Sequence, residues 1–140
     1  MVVGGVVRKE TIKPRASNTM TEAQYISFVK SALRSASRRW RPIYETLRKA
    51  RVERGKYLCN GCGGIVPPTL NKKKNIAIDH IIPIIDPKTG FIDWNNFISL
   101  LFCEEDNLQV LCKSCHDIKS KREREVYNET RKNKNNVKFQ

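Results

Sequence analysis

The sequence predicts a small α+β domain, in which two helices precede two short strands and a final helix. Two observations support this class. Apolar side chains recur at helical spacing between residues 21 and 55, and two apolar runs of strand length lie at residues 76–78 and 108–111. With 140 residues, the chain is long enough for one domain with a modest hydrophobic core. A metal crosslink would strengthen such a core.

For residues 1–55, the sequence predicts a tail followed by a pair of helices. Residues 1–20 show no clear period, and we expect them to form a flexible basic tail. Thr19 and Glu22 fit a capping box for the first helix. Pro42 suits the first turn of the second helix. We therefore predict an N-terminal helical extension over residues 21–55.

The remaining chain predicts a second region, over residues 56–130, that ends in a helix. Between its two strands runs a long connection, in which Asp93 is expected to cap a short helix. Ser114 and Asp117 mark the start of the final helix by their Ser-x-x-Asp pattern. Residues 131–140 are polar and basic, and we expect them to form a second tail.

The net charge of +13 is distributed unevenly along the chain. Residues 1–58 carry 14 Lys or Arg against 4 Asp or Glu, whereas residues 59–112 carry 4 against 6. Residues 113–140 are again basic, with 9 against 4. Basic flanks are typical of proteins that bind a polyanion, because neutralised phosphates release their counterions. The slightly acidic centre suits a cation site.

The helical extension carries the densest cluster of cations. We expect Arg38, Arg39 and Arg41 to contact the DNA backbone, together with Lys119 from the final helix. The simpler interpretation is a solvated helical face, which Arg-rich helices often present. Basic tails on both sides of the centre favour nucleic acid over that interpretation.

The sequence contains no membrane-spanning or secretory segment that we recognise. No apolar run approaches the ~20 residues of a membrane helix. The N-terminus also lacks the apolar stretch of a signal peptide. We therefore predict a cytoplasmic protein without membrane contact. In a reducing compartment, paired cysteines usually bind metal instead of forming disulfides.

Four of the five cysteines form two Cys-x-x-Cys pairs, Cys59 with Cys62 and Cys112 with Cys115. Four thiolates suit a tetrahedral structural zinc site with no open position. A redox dithiol is the alternative, but it needs only one pair. The segment from Cys112 to His116 also matches the c-type haem attachment pattern, which requires export and leaves the first pair unexplained. We therefore predict a structural Zn²⁺ ion.

The chain has only two histidines, and both lie at the ends of predicted elements. Asp79 and His80 end the first strand, and His116 begins the final helix. Two strands followed by a helix can bring Asp79 and His116 together. A carboxylate oxygen and a ring nitrogen would bind Mg²⁺, Mn²⁺ or another divalent cation and leave positions open for phosphate and water.

These residues, in this order, carry a resemblance to a known family. Asp79-His80, then Asn107, then Cys112-x-x-Cys115-His116 resemble the HNH endonucleases, whose core is the ββα-metal fold. The likeness covers roughly residues 30–125 and is greatest to the free-standing HNH endonucleases of bacteriophages. The segments that resemble these phage enzymes lie at residues 37–42, 79–83, 90–91, 93–94, 101–104 and 108–112.

The resemblance implies a role for each matching residue. His80 would be the general base that activates water. Asp79 and His116 would hold the catalytic divalent cation. Asn107 would fix the loop behind His80 through hydrogen bonds to the backbone. Some members of the family have a further metal-binding histidine where this chain has Ser120, so water would fill that place.

The activity implied is metal-dependent hydrolysis of double-stranded DNA, by nicking, with 5′-phosphate and 3′-hydroxyl products. The resemblance also implies a monomer or weak homodimer in the host-cell cytoplasm, with a role in homing or in packaging beside a phage terminase. One alternative is a zinc-stabilised DNA-binding protein without catalysis, which would leave Asp79, His80 and Asn107 unexplained. A second is an RNA nuclease or a packaging accessory.

Overall fold

A computed structural model describes residues 11–137 of the chain. Within these residues the fold is mixed α+β, with four α-helices and small antiparallel sheets, which confirms the predicted class. The chain divides into two compact units, Met1–Ala36 and Ser37–Gln140. The predicted helical extension over residues 21–55 therefore spans both units. None of the described helices combines the length and apolar character that crossing a membrane requires.

The first unit contains helix α1 (Glu22–Ser37), whose last residue is assigned to the second unit. Its capping box is formed by Thr21 and Gln24: the Gln24 backbone N–H donates to Thr21 Oγ1 at 3.1 Å, and the Thr21 N–H donates to Gln24 Oε1 at 2.9 Å. The predicted box at Thr19 and Glu22 is therefore wrong by two positions. Both pairs have the three-residue spacing of a capping box, so the sequence pattern alone does not distinguish them.

The described end of the predicted N-terminal tail has a defined structure. The chain turns back between Arg15 and Met20, which form an isolated β-bridge. The Arg15 guanidinium pairs with Glu22 at 2.9 Å and lies 4.4 Å from the ring centroid of Tyr25. Contacts with the first turn of α1 thus hold this segment, which sequence periodicity does not reveal. The rest of the predicted tail lies outside the described residues.

Two shorter helices of the second unit begin as the sequence predicts. Helix α2 (Arg41–Ala50) has Pro42 in its first turn, where the missing N–H has no helical partner to lose. Helix α3 (Trp94–Leu101) is capped by Asp93, whose Oδ1 accepts from the Asn96 backbone N–H at 2.7 Å.

The final helix, α4 (Lys113–Val137), is longer than predicted. It begins one residue before Ser114 and continues through the described part of the segment that we expected to be a tail. The chain has no glycine or proline after residue 113, so nothing in the sequence interrupts the helix. The boundary predicted near residue 130 is therefore wrong.

Several short strands escaped prediction because each has only two or three residues. After α2 the chain enters a hairpin whose turn contains Gly55 at φ +73°, a backbone conformation that favours glycine. One three-stranded antiparallel sheet and one two-stranded hairpin result. They consist of β1 (Arg51–Glu53), β2 (Lys56–Leu58) and β3 (Ile65–Val66), and of β4 (Thr69–Leu70) and β5 (Lys73–Lys74).

The two predicted longer strands are present and pair with each other. Strands β6 (Ile76–His80) and β7 (Leu108–Cys112) are antiparallel, with Asp79 opposite Gln109 and His80 opposite Leu108. Helix α4 starts directly after β7. A 3-10 helix (Glu105–Asn107) immediately precedes β7. The order is therefore strand, strand, helix.

The core of the second unit is built from β7 and α3. Phe97, Leu101 and Val110 are among the largest fully buried side chains. Trp40, just before α2, donates its indole N–H to the Cys103 carbonyl at 2.6 Å and stacks edge-on against Phe102. These contacts join the start of α2 to the end of α3.

Candidate metal centre and catalytic cluster

The four paired cysteines meet at one point of the second unit. The sulfur atoms of Cys59, Cys62, Cys112 and Cys115 all lie within 4.8 Å of one another. A tetrahedral zinc ion with Zn–S bonds of about 2.3 Å would space them about 3.8 Å apart. The donor set therefore fits, and the cluster could hold a metal such as zinc. Within residues 11–137, no other group of three or more His, Cys, Asp or Glu side chains is placed to hold a metal.

Backbone hydrogen bonds shape the loop that carries the first cysteine pair. The Cys59 N–H donates to Gly64 O, and the Gly63 N–H donates to Cys59 O, each at 2.9 Å. Gly63 has φ +73°, which closes this turn without strain. The Asn60 N–H donates to Val110 O at 2.8 Å. The loop is thereby attached to β7, next to the second cysteine pair.

Gly61 permits the close approach of the two cysteine pairs. A methyl group at this position would lie 3.0 Å from both Cβ and Sγ of Cys115, and 3.2 Å from Leu111 Cδ2. Leu111 is 3 % exposed, so the neighbours have little room to move. The cysteine cluster therefore depends on a glycine here.

The sulfur atoms do not ionise independently. Burial alone would raise the pKa of the Cys59 thiol, but N–H donors from Cys112, Cys62 and Gly61 outweigh it and bring the pKa to about 6. Hydrogen bonding with Cys112 and the nearby Cys59 charge raise the pKa of Cys115 to about 12. Four like charges need a cation between them, so a bound metal would allow all four thiols to ionise.

A second cluster lies where β6, β7 and α4 meet. Asp79 faces α4, and its Oδ1 lies 4.0 Å from His116 Nε2. Its Oδ2 accepts a hydrogen bond from Gln109 Nε2 at 3.0 Å, across the strand pair. Two ligands of one octahedral cation lie about 3–4 Å apart, depending on the angle between them. The 4.0 Å between Asp79 Oδ1 and His116 Nε2 lies at the upper end of this range, and the two predicted ligands are adjacent.

Lys119 belongs to this cluster, although the sequence placed it among the DNA contacts. Its Nζ lies 3.1 Å from Asp79 Oδ2, 3.0 Å from His80 O and 2.5 Å from Glu123 Oε1. Burial lowers the pKa of this ammonium, but hydrogen bonds to Glu123 and Asp79 outweigh burial and raise the pKa above its ordinary value. A charged lysine therefore ties the end of β6 to α4.

The side chain of His80 points to the opposite face of β6 from the side chain of Asp79. Successive residues of a strand point to opposite faces. The His80 Nε2 atom lies 3.3 Å from the carbonyl oxygen of Leu101, at the end of α3. If Nε2 carries the proton and donates to this carbonyl, Nδ1 is left with a free lone pair. The ring is then oriented by the backbone and able to accept a proton.

Asn107 holds the chain that follows His80. Its Oδ1 accepts from the Ile82 N–H at 2.8 Å, and its Nδ2 donates to Ile82 O at 3.2 Å. Its own carbonyl accepts from the Ile81 N–H at 2.9 Å. The backbone hydrogen bonds expected of Asn107 are therefore present, and they fix the exit from β6.

The three arginines predicted to contact DNA are exposed. Arg38 and Arg39 lie between α1 and α2, and Arg41 is the first residue of α2. Among the described residues, none of the three forms an ion pair. Their guanidinium groups are free to bind an anion.

Sequence reasoning missed two side chains of the Asp79 cluster. Gln109 lies directly opposite Asp79 in the strand register, so a correct pairing would have found it. Glu123 lies four residues after Lys119, the spacing of a helical ion pair. That second signal was visible in the sequence.

No protein-family model, curated protein or solved structure matches this chain. Any function must therefore be inferred from the residues and their geometry.

Proposed function

We propose that the protein is a metal-dependent DNA endonuclease of the HNH type, whose ββα-metal core consists of β6, β7 and α4. One observation carries the proposal. Asp79 and His116, from different elements, lie 4.0 Å apart, while the adjacent His80 is oriented by a backbone carbonyl. Strand, strand and helix follow one another in the order of that fold.

Each residue has a defined task in the reaction. Asp79 and His116 would hold a divalent cation, and that cation would supply Lewis-acid stabilisation of the charge on the phosphate and the leaving 3′ oxygen. His80 Nδ1 removes a proton from the attacking water. Asn107 keeps the backbone after His80 in place, so that the ring stays oriented. Lys119 orients Asp79 through its contact with Oδ2.

We propose that hydrolysis proceeds by in-line displacement at phosphorus. In that reaction the attacking water and the leaving oxygen lie on opposite sides of the phosphorus atom. His80 directly follows Asp79 at the end of β6, so the base and one cation ligand are supplied from the same end of the strand pair. One such site cuts one strand at a time, and we therefore propose nicking.

Double-stranded DNA is the substrate that the charge distribution favours. The basic residues flank a slightly acidic centre on both sides, and Arg38, Arg39 and Arg41 are exposed. Their contacts with backbone phosphates would be independent of base sequence. A phage origin, with a terminase or another packaging protein as partner, belongs to the same proposal and follows from the family resemblance alone.

Conversion of supercoiled plasmid tests the activity and its metal dependence. We expect open circles to form with Mg²⁺ or Mn²⁺ and not with EDTA. DNA ligase should reseal them, because the ends are 5′-phosphate and 3′-hydroxyl. Direct conversion to linear DNA would contradict nicking by a monomer. Binding without cleavage across several divalent metals would contradict the nuclease itself.

One observation favours a second candidate, a DNA-binding protein without catalysis. The Lys119 ammonium already neutralises Asp79. An internal cation at this place would stabilise the strand–helix junction without any divalent metal. This candidate predicts that Asp79→Asn leaves DNA affinity unchanged and that no metal supports cleavage.

A further inference from the structure

A groove on the second unit lies between the turn at residues 86–90 and the C-terminal half of α4. Its volume is about 230 Å³. Three cationic side chains and two threonines line it, with one aromatic ring, and no acidic residue is among its lining residues. The polar and aromatic residues are Lys88, Thr89, Tyr127, Thr130, Arg131 and Lys134.

The positive charge of this groove is not compensated within the described part of the chain. No ion pair there includes Lys88, Arg131 or Lys134, and all three are exposed. Asp86, at the start of the turn, accepts from the Lys88 backbone N–H at 2.8 Å and does not line the groove. Three cations converging on a small concave surface suit a phosphate group.

The groove continues the face of α4 that carries His116. Tyr127, Arg131 and Lys134 follow His116 by about three, four and five helical turns, so they share its side of the helix. At 1.5 Å per residue, they lie about 16–27 Å from His116 along α4. Phosphates of one DNA strand are spaced about 3.4 Å along the duplex axis. With α4 aligned along the duplex axis, the groove lies about five to eight base pairs from a phosphate at His116.

We propose that this groove binds a backbone phosphate of duplex DNA while α4 follows the duplex axis, about five to eight base pairs from the phosphate that is cut. Arg131 and Lys134 donate to the phosphate oxygens from the helix, and Lys88 donates from the turn. Tyr127, whose ring is half exposed, packs against the neighbouring sugar. The identity of the ligand rests on the proposed nuclease function, whereas the presence of an anion site rests on the groove alone.

A matched pair of double variants tests the groove. Arg131→Gln/Lys134→Gln removes two charges from the groove, and Arg122→Gln/Lys132→Gln removes the same two residue types from the opposite face of α4. All four residues are exposed, so both variants should fold. Binding to a 24-base-pair duplex is measured by fluorescence anisotropy without added Mg²⁺ or Mn²⁺, at several salt concentrations. Lys88→Gln tests the other wall of the groove independently.

We expect the groove variant to bind the duplex about tenfold more weakly than the wild type. The slope of log affinity against log salt concentration should become smaller in magnitude by about one, because one phosphate contact is lost. The opposite-face variant should stay within about twofold of the wild type, and Lys88→Gln should weaken binding in the same direction as the groove variant.

Equal losses in the two double variants would overturn the groove proposal and leave the proposed nuclease function standing. A wild-type protein that does not bind the duplex would overturn both. Weaker binding of the groove variant to anionic lipid vesicles, with duplex affinity intact, would also overturn the proposal, because the groove would then serve a membrane surface.

Discussion

At the scale of single residues, the proposed role of Asn107 is to control the reaction without touching the substrate. It bonds both polar groups of Ile82 and lies next to β7. We predict that Asn107→Ala slows cleavage by about 100-fold, because a shift of about 1 Å in a reacting group costs that much. DNA affinity should be unchanged. Quantified nicking of plasmid, with affinity measured in parallel, checks this.

Asn95→Ala is the matched control, since Asn95 is an exposed asparagine on α3. Its cleavage rate should equal that of the wild type. Equal rates in Asn107→Ala and Asn95→Ala would contradict the role given to Asn107.

Gly61 gives a second prediction at this scale. Gly61→Ala forces a methyl group against Cys115 and Leu111, and overpacking of this kind costs about 1–3 kcal/mol of unfolding free energy. Urea denaturation should show the loss, and bound zinc should leave faster on addition of a chelator. The neighbouring Asn60→Ala should change neither, because Asn60 uses its backbone N–H in the loop. Normal stability in Gly61→Ala would show that the cluster has more room than these distances indicate.

At the scale of elements, the cysteine cluster joins the loop after β2 to the junction of β7 and α4. We predict one zinc ion per chain, measured by elemental analysis, and its loss in Cys115→Ser. Removal of the ion should lower the unfolding temperature, because it connects segments far apart in sequence. Cys103→Ala is the control: Cys103 is buried elsewhere, so that variant should keep its zinc. A wild type without zinc, or full zinc in Cys115→Ser, would contradict the assignment.

The elements also show what the sequence could predict and why the rest was hidden. Strands β6 and β7 and the cap at Asp93 follow from apolar runs and capping chemistry, which are local signals. The cysteine cluster follows from spacing. The position of Lys119 between two carboxylates depends on how β6 packs against α4, and no local pattern reports packing. The strands of the β1–β2–β3 sheet have only two or three residues each, too few for an alternation of apolar and polar residues to be recognised in the sequence.

At the scale of the whole molecule, the distribution of charge predicts binding that does not depend on DNA sequence. The net charge of +13 is concentrated outside the slightly acidic segment that holds Asp79. Affinity should fall steeply with salt and be similar for unrelated duplexes. Under the proposed function, binding and cutting should be separable properties: the basic flanks would supply the first, and the residues around β6 would supply the second.

The most direct test of the nuclease proposal separates these two properties in one variant. We would measure single-turnover nicking and duplex affinity for the wild type and His80→Ala, with Mg²⁺ or Mn²⁺ at saturation. Loss of the general base should slow nicking by about 100- to 10,000-fold, with affinity and zinc content unchanged. Nicking by His80→Ala at the wild-type rate would contradict the assignment of His80, and the catalytic site with it.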